Sequence, residues 1–430
     1  MKKVNAGCLS LFLAGIMTMC TGCAEKNKAE DFLIWKETSD KEEIITLEAF
    51  VWEDEETNIR ILAEEWSARN PEVIIHLNSF PSTEYSQQMM AIRKETKTGD
   101  CVFFPHLSEA AVWIEKGIVQ TLEPYIQTEE MNFTEWYQEE EKAYDSYILP
   151  YRVSKWAVFY NTAMFEERGI PFPQNDWTWE DYANIAVRLT NRIGTDRTYG
   201  SMSYEPTSIW WRVPARTRGA NDPLKEEDLE MFRESLEWCY RLTYELGAQL
   251  PYTEQTGNHG RLSEDSFLDG EVGMFFSGDW SVATLNDRIR EKKLDFVYDI
   301  APLPGWEEEE RYCISDAAVV AMTATTAYPE ETADFIRFVC SEEGALILAK
   351  RGIIPAWDSE DVRDTLLNLT ESPMHMENFF AEGELSSIPA TVTYTEAMEI
   401  VRDEAAAYLL REQSIDQCFE NIQKELKRIP

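Results

Sequence analysis

The side chains able to do covalent or metal chemistry are sparse and scattered. His76, His106, His259 and His375 form no HExxH pair and no other metal-ligand spacing. The chain has no GxSxG elbow, no phosphate-binding Walker loop and no GxGxxG step between a strand and a helix. With 79 Asp and Glu residues, two carboxylates at a glycosidase-like separation arise by chance and carry no signal. Neither an enzyme, nor a metal site, nor a cofactor is expected. Chemistry of the non-covalent kind is better supplied. The chain holds 14 Trp, and so many indoles must lie either in cores or on a binding surface.

Binding groups need elements to place them, and the N-terminal part supplies a regular series. Residues 44–50 are β-branched and bounded by charge, which predicts a strand. Ile59, Leu62, Ala63 and Trp66 have helical spacing within 58–70. A strand at 73–77, a helix at 85–97, a strand at 101–104 and a helix at 109–116 follow. This alternation predicts a parallel α/β sheet. Ligands of such sheets bind beyond the carboxyl ends of the strands. Trp52 and Asp54 follow the first strand there, and Tyr85 starts a helix facing the same edge.

A second block begins near Pro150. It has a strand at 156–160 and a helix at 178–189, with Thr178 and Asp181 spaced as a capping box. A long helix at 226–246 and a strand at 272–276 come next, then a strand at 318–321 preceded by Asp316. Helices at 330–340, 395–410 and 415–426 close the chain, with no internal repeat.

The N-terminus reads as an address. Lys2 and Lys3 precede an apolar run at 6–19, which has the length of a signal-peptide core and is too short for a membrane span. The step Cys20-Thr21-Gly22-Cys23 resembles a bacterial lipobox, with Cys20 where Leu is usual. Residues 1–22 are then a removed signal peptide and Cys23 is the lipidated residue. Residues 23–43 are the anchor and a polar tether to the cell membrane's outer face. Cys101, Cys239, Cys313, Cys340 and Cys418 remain, an odd number without CxxC. Cys101, Cys239 and Cys340 lie in apolar stretches and suit buried thiols better than metal ligands, and a disulfide stays open.

Charge narrows the partners. The net charge is −39, and removal of residues 1–22 takes it to −41, because Lys2 and Lys3 are their only charges. Such a surface repels nucleic acid. The acidic runs at 53–56, 139–141 and 307–310 read as solvated surface and fit no EF-hand spacing.

Six segments, in order, resemble the bacterial extracellular solute-binding proteins that include maltose-binding and other sugar-binding proteins. They are residues 62–71; Leu149-Pro150-Tyr151 with 158–161 and Phe165; and Trp177-Thr178-Trp179-Glu180-Asp181. The others are residues 267–274 leading to Gly278-Asp279-Trp280; residues 300–305; and 333–336 with Gly352 and Pro355. The resemblance spans residues 44–430. Cys101, Phe104 and His106 depart from the residues usual at those places.

The resemblance implies two α/β lobes of the periplasmic-binding-protein type, with the ligand in the cleft between them. Lobe one would comprise residues 44–152 and 301–350, and lobe two 153–300 and 351–430, with crossings near 150–154 and 298–304. It further implies a monomer that binds a mono- or oligosaccharide and delivers it to an ABC permease in the membrane. A ligand-presenting sensor for a membrane receptor is the alternative role, and an acidic sugar, a polyol phosphate or a polyamine the alternative ligands. A sugar needs flat aromatics for its C–H faces and polar groups for its hydroxyls. By position in the family, Trp280 would stack on a ring, with Asp279 beside it. Phe104 and His106 would contact ligand from lobe one, and one of Trp210 and Trp211 would face it from lobe two. Arg152 and Ser154 lie on the first crossing, and Asp316 lies within reach of the cleft. Arg212, Arg216 and Arg218 keep an acidic ligand in view.

Overall fold

The computed structural model describes residues 44–94, 98–127, 131–133, 144–193, 197–203, 210–257, 263–307, 310–381 and 383–429. Residues 1–43, where the sequence predicts a signal peptide, a lipidated Cys23 and a tether, lie outside the described residues.

Ten strands among the described residues are linked by hydrogen bonds, seven of them in one continuous path. They are β1 (Ile45–Trp52), β2 (Val73–Phe80), β3 (Cys101–Phe104), β4 (Val119–Gln120), β5 (Ile148–Asn161), β6 (Tyr199–Met202), β7 (Val272–Gly278), β8 (Tyr298–Pro302), β9 (Tyr312–Thr323) and β10 (Glu384–Ser386). The order is β2-β1-β3-β9-β5-β7-β6, with β4 and β10 on β9 and β8 on β5. β1 is parallel to β2 and β3, as the strand–helix alternation predicts. β9 then joins β3 antiparallel.

β5 belongs to two sheets. Residues 148–155 pair with β9, and residues 156–161 pair with β7 and β8. The separately predicted crossing and strand are therefore one 14-residue strand. The register shifts between Pro150 and Arg152, so Tyr151 is an extra residue opposite β9, a bulge that re-aims the side chains around it.

Apolar burial follows this division. Phe50, Val102, Phe103, Val319, Val320, Phe335 and Ile336 belong to a first core. Trp179, Tyr182, Trp238 and Phe276 pack ring on ring in a second, with Trp179 and Trp238 centroids 5.0 Å apart. Phe159, Phe275 and Tyr298 anchor a third. The helix Trp179–Leu189 starts with the predicted capping box: Thr178 accepts from the Asp181 amide and Asp181 from the Thr178 amide. The long predicted helix is α-helical over Glu226–Tyr240 and ends in a π-turn, Arg241–Glu245. All five described cysteines are free, and Cys101, Cys239, Cys340 and Cys418 are buried. No helix among the described residues is long and apolar enough to cross a membrane.

Candidate functional site

The antiparallel β5–β9 ribbon, where the chain passes from the first core to the others, carries a polar face. Ser154 stands opposite Asp316 and Arg152 opposite Ala318. Directly opposed residues and alternate residues share a face, so Arg152, Ser154 and Asp316 point the same way. The Arg152 Nη1 donates to Ser154 Oγ at 2.6 Å, as this requires.

At one end of this face, Arg152 pairs with Glu55, with Nε–Oε1 at 3.1 Å and Nη2–Oε2 at 2.9 Å. Glu55 is 1% exposed. It closes the short 3-10 turn Glu53–Glu55 after β1, which turns the third acid of a charged run inward. The reading of the run at 53–56 as solvated surface is corrected at this residue. The Arg152 guanidinium lies 6.0 Å from the Trp52 ring and 5.7 Å from the Trp280 ring, within cation–π range.

Trp280 is half-buried and packs against both the first and the second core. Its ring meets Trp156 edge to face at 5.3 Å. Gly278 makes this pose possible: a Cβ there would lie 1.9 Å from Trp280 Cζ3. Asp279 is buried and works through the backbone. Its carboxylate accepts from the amides of Lys155 at 3.3 Å and Ile354 at 2.8 Å. Burial raises its pKa to about 7, against the charge of Arg152.

At the other end, Arg216 holds Asp316 in a two-pronged pair, Nη1–Oδ2 2.8 Å and Nη2–Oδ1 3.0 Å. Burial alone would raise the Asp316 pKa, but Arg216 outweighs it and holds the carboxyl below its ordinary value. The Ile388 amide also donates to Asp316, and Arg216 Nη2 donates to the Ser386 carbonyl at 2.7 Å. Arg212 donates to the Tyr394 hydroxyl at 3.1 Å. His106 caps the helix Leu107–Glu115 by accepting the Glu109 amide at Nδ1. That assigns its proton to Nε2. Burial lowers its pKa to about 4, helped by Arg212 and Arg216 and opposed by Asp316, so the ring is neutral at pH 7.

Trp52, Arg152, Ser154, Asp279 and Trp280 thus come together around Glu55, and His106 and Asp316 meet around Arg216. Other predicted positions are placed differently. Phe104 is fully buried within β3, and Tyr85 is 2% exposed, its hydroxyl 2.8 and 2.7 Å from the carbonyl oxygens of Phe50 and Phe103. Trp210 and Trp211 are each 1% exposed, and both belong to the second core. Asp54 is exposed. Sequence reasoning missed Glu55, Ser386 and Tyr394. It noted Arg212 and Arg216 only as a cluster, although their four-residue spacing is the signal that they share a helical face.

A shared ribbon between separate cores, with an indole and paired charges where the cores meet, defines a two-lobed α/β binding fold. The chain belongs to the family described as bacterial extracellular solute-binding protein, whose profile matches residues 52–346. The family and fold are those of solute-binding proteins. The structure is similar to an ABC substrate-binding protein of Listeria monocytogenes in complex with cycloalternan, with a TM-score of 0.74 and 16% identity over 89% of this chain and 98% of that one. It is also similar to the GacH receptor of Streptomyces glaucescens, solved unliganded and with acarbose (TM-score 0.72, 15% identity, 89% and 98% coverage). A maltose-bound protein of T. maritima has a TM-score of 0.72 at 15% identity, with 90% and 100% coverage.

Proposed function

We propose that this chain is the lipid-anchored, extracytoplasmic sugar-binding subunit of an ABC importer, and that it works as a monomer. The observation that carries the reading is the half-exposed Trp280 indole beside the Arg152–Ser154–Asp316 face. A flat apolar ring next to charged hydrogen-bonding groups suits the two surfaces of a pyranose. Trp52, Arg152, Ser154, His106, Asp316 and Trp280 are the proposed contacts, with Asp279 holding the backbone under them. The guanidinium groups of Arg152, Arg212 and Arg216 in one region disfavour a polyamine. The sequence reading puts lobe one at residues 44–152 and 301–350, and lobe two at 153–300 and 351–430. The Trp306 indole donates to the Pro214 carbonyl and Gly305 bonds to Trp177 and Trp179, which favours a changeover beyond residue 306. Cys23 carries the lipid, and a permease receives the sugar.

A thermal-shift screen of mono- and oligosaccharides tests the binding role, since a ligand selective for the native state raises the melting temperature. At least one saccharide should do so, and a panel without any stabilising saccharide would reject the reading. Cell fractionation of Cys23→Ser tests the anchor: the variant should leave the membrane fraction.

A further inference from the structure

The charges at the Arg216 end of the proposed ligand face do not cancel. Glu55 matches Arg152, and Asp316 matches Arg216. Arg212 bonds to the Tyr394 hydroxyl, and among the described residues no carboxylate lies within ion-pair distance of it. A shortage of acids does not explain this in a chain with 79 of them against 40 bases. Arginine stays charged at any physiological pH.

Three further polar atoms near Arg212 are buried without a hydrogen-bond partner: its own Nε, Arg216 Nε and Ser386 Oγ. Arg216 is 5% exposed and Ser386 1%. The three residues belong to one neighbourhood, because Arg216 bonds to the Ser386 carbonyl and Arg212 and Arg216 both act on the His106 ring. His106 faces them from the end of β3 with a neutral ring whose proton sits on Nε2. A buried donor left without an acceptor is costly, so a ligand that supplies acceptors there is favoured. The set is therefore rich in donors, short of acceptors and carries one positive charge too many.

Resting on the sugar-binding reading, we infer that the ligand is an acidic saccharide, whose uronic-acid carboxylate docks against Arg212 beside Arg216, Ser386 and His106. A carboxylate accepts through two oxygens and donates nothing, and its plane matches the guanidinium fork. A neutral hydroxyl also accepts, but it brings a donor of its own and leaves the charge unmatched.

The test is calorimetry on the full chain with matched probes: glucuronic acid against glucose, and digalacturonic acid against the corresponding galactose disaccharide. At least one acid should bind roughly tenfold or more tightly than its neutral partner at low salt. Added salt should narrow the gap. Arg212→Gln should remove most of the preference without lowering the ligand-free melting temperature, and Arg212→Lys should keep part of it. Neutral sugars binding as well as or better than the acids would overturn the inference and leave the sugar-binding role intact. So would an acid preference that Arg212→Gln does not change. Failure of every acidic and neutral saccharide to bind would reject both.

Discussion

Arg152 and Glu55, 97 positions apart in sequence, form a two-bond ion pair with both side chains buried. It ties the turn after β1 to the crossing strand β5. A pair removed from water in this way contributes little net stability against an apolar substitute, but breaking one half strands a charge.

Glu55→Ala should therefore destabilise the protein by about 3–5 kcal/mol. The double replacement Glu55→Met with Arg152→Met should cost much less. Urea unfolding of the three proteins checks this, and a single-variant cost below about 1 kcal/mol would show that Arg152 finds another partner or water.

Trp280→Ala should lower ligand affinity at least tenfold, through a lost aromatic contact of about 0.5–1.5 kcal/mol and the apolar area behind it. Its melting temperature should fall less than that of Trp179→Ala, which removes a fully buried core indole at about 3–5 kcal/mol. Calorimetry and thermal unfolding on both variants separate the roles. Unchanged affinity in a folded Trp280→Ala protein would assign that indole to packing.

Asp279 should make stability depend on pH. Its folded pKa is raised to about 7, so its contribution is fully present below the unfolded carboxylate range near pH 4 and is lost as pH rises through 7. Wild type should lose stability relative to Asp279→Asn over that window, with a slope of at most roughly 1.4 kcal/mol per pH unit. His106, with its folded pKa lowered to about 4, acts oppositely: its contribution is present above pH 6.5 and lost as pH falls through 4. Comparing both proteins between pH 4 and 8 isolates the Asp279 part. Parallel curves would mean that its carboxyl ionises freely in the fold.

Thr178→Ala removes one half of the capping box and should cost about 1 kcal/mol, with ligand affinity unchanged. Denaturant midpoints and calorimetry on one variant check both parts.

Local pattern was enough for elements whose signal is local. The parallel β1–β2–β3 unit, the capped helix at 179–189 and the closing helix Ile415–Leu426 are legible because their apolar spacing or cap residues lie within a few positions. β9 was legible only at 318–321 because its first half carries the polar residues Ser315 and Asp316, which break the apolar run. The N-terminal half of β5 is hidden likewise behind Pro150, Arg152, Ser154 and Lys155. Short strands such as β4 and β10 hold too few residues for any period to register. At the site, the residue types were legible and the pairings were not. Arg216 and Asp316 are 100 positions apart, and no sequence spacing announces that they meet.

The dual membership of β5 has a consequence for how this chain can be cut and recombined. One uninterrupted backbone supplies a strand on each side of the divide, and β9 returns beside its first half. Neither half of the molecule is thus a contiguous module that a gene fusion could borrow or an expression vector could carry alone. A protease cleaving within β5 would damage two sheets with a single scission. Shuffling binding specificity between relatives would have to proceed by exchanging side chains on the common ribbon, because exchanging whole halves would sever the strand that both depend on.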